Sequence, residues 1–322
     1  MKPITFSQAV EGYLLQARAE RLSDNTLRNY ELAFRRFAEW LGNDPPIATI
    51  TPEQIAAFLA DLARPRPLPG IAPRPEKGLS RKTALNYHGA LSALWTWALR
   101  EHLVERHVVK VVPRPRPEKR AITPFTQDDV RALLASLDRS RSYRRPGKRV
   151  CDHSRPTAAR DRAIILLLLD TGMRAGELAA LCVRDVDLKN RRLIVFGKGA
   201  KERVLYFSSI TGKAIWRYLS ERGDVAPGEP LFASINGRPL GCNALLQLLR
   251  RLGRKAGMPD CHPHRFRHTF AINFLRNGGN IYELQMALGH STLEMVKTYL
   301  NLAQTDLETA HRRASPVENW RL

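Results

Sequence analysis

Apolar residues recur every three or four positions along most of the chain, which is the spacing that places them on one face of an α-helix. In the segment around residues 24–41, Leu27, Phe34 and Leu41 follow this spacing. Residues that favour helix N-caps precede the first four such segments: Ser7, Ser23 or Asp24, Thr51 and Ser80. The first of these helices is predicted to end near Ala19 and the third near Ala63. The pattern therefore predicts a small N-terminal domain of four helices.

The second half of the chain combines helical segments with short apolar segments that are typical of β-strands. Thr126 is the predicted cap of a helix that runs through Leu137, and an apolar run within residues 158–170 predicts a buried helix. Two short apolar strands, Leu193–Phe196 and Val204–Phe207, flank a Gly-Lys-Gly turn and predict a β-hairpin. Further helices are predicted at about 211–222, 242–255, 263–277, 280–288 and 292–304. The fold class predicted is mainly α with a small β-sheet (α+β).

Proline placement sets the predicted domain boundaries. In the segment 113–120, alternating prolines block helix formation and favour an extended, semi-rigid spacer. We therefore predict a helical domain at 1–112, a basic linker at 113–120, a second domain at 121–312 and a C-terminal tail at 313–322. Residues 64–78, with five prolines, are predicted to form a loop, and residues 139–162, with nine basic and two acidic residues, a mobile basic loop.

Composition narrows the possible partners. The 322 residues include 52 Lys+Arg and 31 Asp+Glu, which gives a formal net charge of +21. The excess is shared, because residues 1–120 hold 19 basic and 12 acidic residues and residues 121–322 hold 33 and 19. A hydrophobic content of 43% excludes a disordered polycation, so a foldable basic chain indicates a polyanion, most often nucleic acid. A basic surface without a specific partner is the alternative.

Three further properties of the sequence bear on the cellular location and the structural class of the protein. No apolar run approaches the roughly 18 residues that a membrane span needs, since the longest is Ala163–Leu169. The opening residues 1–5 lack the apolar core of a signal peptide, which predicts a cytoplasmic protein. Four cysteines in a chain of this length are too few for a disulfide scaffold.

The first candidate site residues are Arg174 and Glu177. Arg174 follows Thr171-Gly172, where the buried helix is predicted to end, and begins the next helix. An arginine there could hold a phosphate through its planar guanidinium, helped by the helix N-terminus. A local Arg174–Glu177 ion pair is the alternative.

His264 and Arg267 form a second candidate pair. They are three residues apart and share one face of the predicted helix, so they could act together on a phosphodiester. A DNA-contacting helix without catalysis is the alternative. His262, His264 and His268 could also indicate a metal, but apart from Cys261 no carboxylate or cysteine lies at ligand spacing, so no metal site is predicted.

The last candidates are His290 and Tyr299. His290 lies in a Leu-Gly-His-Ser turn between two predicted helices, and Tyr299 lies nine residues further along, on the second helix. A single tyrosine on an amphipathic helix is usually a packing residue.

Taken in order, Arg-x-Gly-Glu, Gly-Lys-Gly, His-x-x-Arg, Leu-Gly-His-Ser and Tyr, the chain resembles the tyrosine recombinases, or phage integrase family, including the Xer-type recombinases. The resemblance implies a helical, SAM-like core-binding domain followed by the family's catalytic domain. It also implies one role for each matching residue: Arg174 and Arg267 as catalytic arginines, Lys198 as the hairpin lysine, His264 and His290 as catalytic histidines, Tyr299 as the nucleophile, and Glu177 as the acidic residue that supports Arg174.

The resemblance implies that duplex DNA is cut and rejoined through a 3′-phosphotyrosyl bond, without cofactor, metal or ATP. Two DNA-binding domains joined by a basic linker would enclose the duplex. The expected assembly is a monomer when free and a homotetramer on two synapsed duplexes, nucleoid-associated when bound. The insert at 139–162 and the C-terminal tail favour an integrase of a mobile genetic element. Additional DNA contacts are predicted for Arg81, Lys82, Arg114, Arg116, Lys201 and Arg265.

Two other functions fit the same residues. A type IB topoisomerase uses similar active-site chemistry on one duplex, and an architectural DNA-binding protein could retain an inactive copy of the site. We expect a site-specific recombinase or integrase.

Overall fold

The computed structural model describes residues 3–64, 78–116, 122–137, 155–197, 202–290, 292–303, 311 and 315–320. It divides into two compact units, Met1–Arg120 and Ala121–Leu322. The described residues are mostly helical, with one three-stranded antiparallel sheet, which confirms the predicted fold class. Within the described residues, no helix is both long and apolar enough to cross a membrane.

The first unit contains four long helices and one short one in its described part. Their bounds are α1 Phe6–Ala19, α2 Asp24–Leu41, α3 Pro52–Asp61, α4 Arg81–Arg100 and α5 Val108–Val111. The predicted caps Ser23, Thr51 and Ser80 each accept a backbone hydrogen bond from the first turn of their helix. Aromatic side chains fill the core, where the rings of Phe37 and Phe58 lie 4.9 Å apart.

The predicted cap of α1 was wrong by two residues. Thr5, not Ser7, precedes the helix, and its hydroxyl accepts a hydrogen bond from the backbone N–H of Gln8. The Gln8 side chain accepts one in return from the Thr5 N–H, which completes a capping box. Ser7 lies inside the first turn, where its N–H is bound by Asp44. The reciprocal Thr5–Gln8 pair satisfies two backbone N–H donors that would otherwise be unpaired, whereas Ser7 as the cap would satisfy one. The start at Thr5 is therefore the more stable.

The second unit carries the sheet and the remaining helices. In its described part, the helices are α6 Gln127–Ala135, α7 Ala158–Thr171, α8 Ala175–Ala180, α9 Ser209–Arg222, α10 Cys242–Lys255, α11 Pro263–Arg276, α12 Ile281–Leu288, α13 Glu294–Ala303 and α14 Pro316–Trp320. The strands are β1 Val186–Asp187, β2 Arg192–Phe196 and β3 Glu202–Tyr206, in the order β1-β2-β3. The predicted hairpin is therefore present, and β1 adds a third strand that is too short to give a periodic signal.

Two apolar clusters position the candidate site. The larger surrounds α7, whose Ile164 and Leu168 are fully buried, and it includes Leu193 and Leu205 from the hairpin. The smaller lies between α11, α12 and α13 and includes Tyr299. The ends of α7 and α12 and one face of α11 are held in place by these cores.

Several predicted features lie outside the described residues. They are most of the proline-rich loop, residues 139–154 of the basic insert, the end of the linker and the predicted turn that holds Lys198 and Lys201. The predicted end of the basic loop was wrong, because residues 158–162 begin α7, where Arg160 and Asp161 are buried and paired with each other.

Candidate active site

Arg174 is fixed by the start of α8. It is the N-cap residue of that helix, and its backbone N–H donates to Glu177 Oε2 at 2.8 Å. Its side chain adds an ion pair, from Nη1 to Glu177 Oε1 at 2.9 Å, and a hydrogen bond from Nη2 to the carbonyl of Gly289 at 3.1 Å. The Arg174–Glu177 pair considered from the sequence is present, but the guanidinium also reaches the loop that follows α12.

A second arginine binds Glu177 from the hairpin. Arg203 on β3 donates from Nη1 and Nη2 to the two carboxylate oxygens, at 2.9 and 2.8 Å, and from Nε to the carbonyl of Ala287 at 2.9 Å. Burial raises the pKa of the Glu177 carboxyl, but hydrogen bonds from Arg203 and Arg174 outweigh it and hold that pKa below its ordinary value. Glu177 is therefore an ionised carboxylate shared by two arginines.

Arg267 is the most buried cation of the site, at 4% exposure. It lies on α11 and donates to two carbonyls at helix ends, from Nη1 to Gly172 and from Nη2 to Leu288, both at 2.8 Å. Carbonyls at helix C-termini carry partial negative charge and lack intrahelical partners, so they suit a buried guanidinium. Burial, together with the charge of Arg174, lowers the pKa of Arg267 to about 10, which leaves it charged at neutral pH.

The conformation of Gly172 makes this contact possible. Gly172 ends α7 in the left-handed region, at φ +60°, where glycine is favoured. A Cβ there would lie 2.4 Å from Cδ1 of Phe270. The glycine thus allows the α7 terminus to approach α11 closely enough for its carbonyl to reach Arg267.

His290 is held by the same loop. Gly289 ends α12 in the left-handed region, and His290 Nε2 lies 2.7 Å from Arg267 Nη2. Arginine can only donate, so Nε2 is the acceptor and the proton of the neutral ring is on Nδ1. Burial and the neighbouring arginines lower the pKa of His290 to about 4, so the ring is neutral at pH 7. Nδ1 is buried, and within the described part of the chain its N–H has no hydrogen-bond partner.

Tyr299 lies on α13 with 5% of its surface exposed. Its hydroxyl is 2.8 Å from Nδ1 of His268, one turn of α11 beyond His264. Burial raises the pKa of Tyr299, and Arg267 partly offsets the effect, so the phenol is protonated in this state. Burial, with the neighbouring His264, lowers the pKa of His268 to about 4, so its neutral ring can accept the phenolic hydrogen bond.

His264 lies at the exposed edge of the same helix face. Its ring centroid is 6.5 Å from that of His268 and 6.4 Å from that of His262. Burial and the positive charges nearby lower the pKa of His264. Within the described residues, no group of three or more His, Cys, Asp or Glu side chains is arranged to hold a metal ion.

The remaining predicted DNA contacts fall in three places. Arg265 packs its guanidinium over the Phe125 ring at 4.1 Å and donates from each of its three nitrogens to Thr123, Asp260 and Asp129, so it is held within the protein. Exposed positions in the first unit are occupied by Arg81, Lys82, Arg114 and Arg116. Lys198 and Lys201 fall outside the described residues.

Two residues of this cluster were not predicted from the sequence. Arg203 is 26 positions from Glu177, and only the hairpin register brings the two together. His268 was considered only as a metal ligand, although its i+4 spacing from His264 places it on the same helix face. That spacing was the available signal, but the position of Tyr299 opposite this face required the packing of α11 against α13.

Comparison with known proteins agrees with this architecture. The model of the phage integrase family matches residues 125–306, and the model of the phage integrase N-terminal SAM-like domain matches residues 10–105. The first match alone covers more than half of the chain.

A curated relative and two solved structures illustrate the similarity. The tyrosine recombinase XerC of Bacillus subtilis (strain 168) is 31% identical over 248 residues, which are 75% of this chain and 77% of the relative. The Tn1549 transposon integrase in complex with circular intermediate DNA shares the fold with a TM-score of 0.70 at 21% identity, over 95% of this chain and 98% of that one. The XerH recombinase bound to palindromic difH substrate, a post-cleavage complex, gives a TM-score of 0.68 at 22% identity, over 95% and 84%. With both of its domain types matched, this chain belongs to the phage integrase family and is an enzyme of the tyrosine recombinase type.

Proposed function

We propose that this protein is a site-specific DNA recombinase or integrase that cleaves and rejoins duplex DNA through a 3′-phosphotyrosyl intermediate. The observation that carries the proposal is the convergence of its predicted catalytic residues on one loop. Arg174 and Arg267 both bind carbonyls of residues 288–289, and Arg267 also binds His290. Tyr299 follows on the next helix, within the electrostatic influence of Arg267. Cations, an N–H donor and a nucleophile are what phosphoryl transfer requires.

In the proposed reaction, the Tyr299 oxygen attacks the scissile phosphorus as the bond to the 5′-oxygen breaks. The products are a 3′-phosphotyrosine and a 5′-hydroxyl. Arg174 and Arg267 balance the charge on the non-bridging oxygens, and His290 donates its Nδ1–H to one of them. Lys198 is the proposed acid that protonates the departing 5′-oxygen. Religation reverses these steps with the 5′-hydroxyl of another strand, so the phosphotyrosine conserves the bond energy and ATP is not needed.

The proton of Tyr299 requires an acceptor, and α11 carries two candidate histidines, of which His268 contacts the hydroxyl. His268 touches the hydroxyl but, with a pKa of about 4, is too weak a base to take a phenolic proton, so we assign it to orienting the hydroxyl. His264 is exposed and shares the face of Arg267, where a bound phosphodiester would lie, and is the proposed acceptor. Single-turnover cleavage by His264→Gln should be slowed more than cleavage by His268→Gln, and the opposite order would exchange the two roles.

No metal or cofactor is needed in this proposal, because two arginines and Lys198 supply the positive charge that Mg²⁺ supplies elsewhere. Cleavage should therefore proceed unchanged in excess EDTA. Loss of cleavage in EDTA, restored by Mg²⁺, would contradict this part of the proposal.

The proposal divides the chain as the sequence predicted, with a DNA-binding domain at 1–112, a linker at 113–120, the catalytic domain at 121–312 and a tail at 313–322. Structural relatives in complex with DNA, and the charge of +21, support duplex DNA as the substrate. We further propose a cytoplasmic, nucleoid-associated protein that is a monomer when free and a homotetramer on two synapsed sites. We also propose a role in a mobile genetic element, which the basic insert and the C-terminal tail support.

A two-site assay separates recombination from the alternatives. A target site is first recovered from a random-sequence duplex library by covalent capture, and two copies are then placed on one supercoiled plasmid. Deletion or inversion between the copies is the expected result. Relaxation of a one-site plasmid without exchange would indicate a topoisomerase, and binding without either product would indicate an architectural protein.

A further inference from the structure

The described part of the site contains an arginine that the proposed chemistry does not use. Arg203 is 14% exposed at its side chain, and all three of its guanidinium nitrogens donate within the protein. These three contacts hold the guanidinium against the protein, and its low exposure leaves little of it open to a phosphate oxygen in this arrangement. Its role must be sought in the groups that it binds.

The first of these groups is the Glu177 carboxylate. That carboxylate is 6% exposed, so water screens its charge poorly, and it touches both Arg203 and Arg174. With Arg203 present, one negative and two positive charges meet there, and one positive charge remains. Without Arg203, the Glu177 charge would be balanced by Arg174 alone, and no net charge of that pair would remain for a substrate.

The second group is the loop that orders His290. Arg203 Nε binds the carbonyl of Ala287, and a Cβ on Gly289 would lie 2.9 Å from Arg203 Nη1. The guanidinium thus packs directly against the backbone of Gly289, whose carbonyl accepts a hydrogen bond from Arg174. Arg203 connects β3 to both of the elements that hold Arg174 in place.

We infer that Arg203 is a positioning residue that neutralises Glu177 and so leaves the charge of Arg174 available to the scissile phosphate. This inference rests on the proposed function, in which Arg174 binds that phosphate. It makes an unusual prediction: the removal of Glu177's charge should compensate for the removal of Arg203's charge.

The test uses four proteins, wild type, Arg203→Met, Glu177→Gln and the double variant. The probe is a nicked duplex that carries the captured target site, and the readout is the single-turnover rate of covalent complex formation. We expect Arg203→Met to slow this rate by at least about tenfold, as the loss of one electrostatic contribution does at such sites. The double variant should be at least about tenfold faster than Arg203→Met.

Two further variants control for folding and for general loss of charge. Arg203→Lys keeps the charge without the two-point contact, and its rate should lie between those of wild type and Arg203→Met. Arg192 is an exposed arginine of the same hairpin, and it pairs with Asp187 on β1. Arg192→Met should leave the rate within about twofold of wild type.

The outcomes separate this inference from the proposed function. If wild type forms no covalent complex, the proposed function fails. If wild type reacts but the double variant is no faster than Arg203→Met, or Arg203→Met equals wild type, the inference about Arg203 is overturned and the proposed function stands.

Discussion

The protonation states of the site follow from where its side chains are buried. His268 and His290 have pKa values near 4, so both rings are neutral at pH 7. The His268 ring can therefore accept a hydrogen bond from Tyr299, and the His290 ring can donate one from Nδ1. Tyr299 is held as a neutral phenol by the same burial. Under the proposed function, we therefore expect Tyr299 to ionise only after a bound phosphate has completed the site.

These lowered histidine pKa values predict a loss of stability in acid. Between the unfolded pKa of about 6.5 and the native value near 4, the unfolded chain binds protons that the folded chain does not, so the free energy of unfolding falls as pH falls. A His268→Gln variant lacks one of these groups and should lose less stability than wild type between pH 7 and pH 5. Urea denaturation at both pH values measures the difference, and equal losses would contradict the assignment.

Gly172 predicts a measurable effect of backbone conformation. Gly172→Ala should cost about 1–2 kcal/mol for the left-handed conformation and a further 1–3 kcal/mol or so for the contact with Phe270. Gly257→Ala is the matched control, since Gly257 also has positive φ, at +78°, but nothing lies within 4 Å of its added Cβ. Chemical denaturation of both variants should show the larger loss at Gly172. Equal losses would mean that the close approach to α11 has no energetic weight.

At the level of the element, strands β2 and β3 pair with each other on either side of the segment that contains Lys198. Leu193 and Leu205 face each other across β2 and β3 and are both buried, whereas Val204, the next residue on β3, is 44% exposed. Leu205→Ala should reduce the free energy of unfolding by about 2–5 kcal/mol. Val204→Ala should reduce it by about 1 kcal/mol or less.

Denaturant unfolding of the two variants checks this alternation. Because side chains on a strand alternate between faces, a register slip of one residue would exchange the two effects. A larger loss for Val204→Ala would therefore show that the hairpin is paired differently.

The elements that the sequence predicted best are those with strong local signals. Thr51-Pro52 and Ser80 mark helix starts through contacts within four residues, and the structure confirms both. Apolar periodicity is also a local signal, and it correctly predicted α7 and the hairpin. The cap at Ser7 was wrong because the local signal was ambiguous, and the two-residue strand β1 has no period to detect.

The candidate site contains contacts that local sequence patterns do not predict. The family resemblance supplied Arg174, Arg267, His290 and Tyr299 as single positions, and packing brings the first three to one loop. Arg203 could not be predicted in the same way, because its role depends on two elements that meet only after folding. Long-range pairing between polar groups leaves no periodic trace in the sequence, so such residues are found only from coordinates.

At the level of the whole molecule, a net charge of +21 predicts a steep dependence of DNA binding on salt. Each phosphate contact releases condensed cations from the duplex, so the affinity for a half-site should fall at least about tenfold between roughly 50 and 200 mM salt. Equilibrium binding to a labelled half-site measures the slope, and a flat response would contradict broad phosphate contact.

Variants of Arg81 and Lys82 test whether α4 of the first unit contributes to this salt dependence. Both are exposed in the first turn of α4. If both contact phosphates, replacing them with Gln should reduce the log–log salt slope by up to about 2. An unchanged slope would place the DNA contacts of the first unit elsewhere.

The central claim is that Tyr299 becomes covalently joined to DNA, and a nicked suicide substrate tests it most directly. After cleavage the short 5′-hydroxyl fragment diffuses away, so the 3′-phosphotyrosyl complex accumulates and can be seen as a shifted band under denaturing conditions. Wild type should form this complex in EDTA, and Tyr299→Phe, which keeps the ring but lacks the oxygen, should form none. A covalent complex of equal yield with Tyr299→Phe, or none with folded, DNA-binding wild type, would contradict the account.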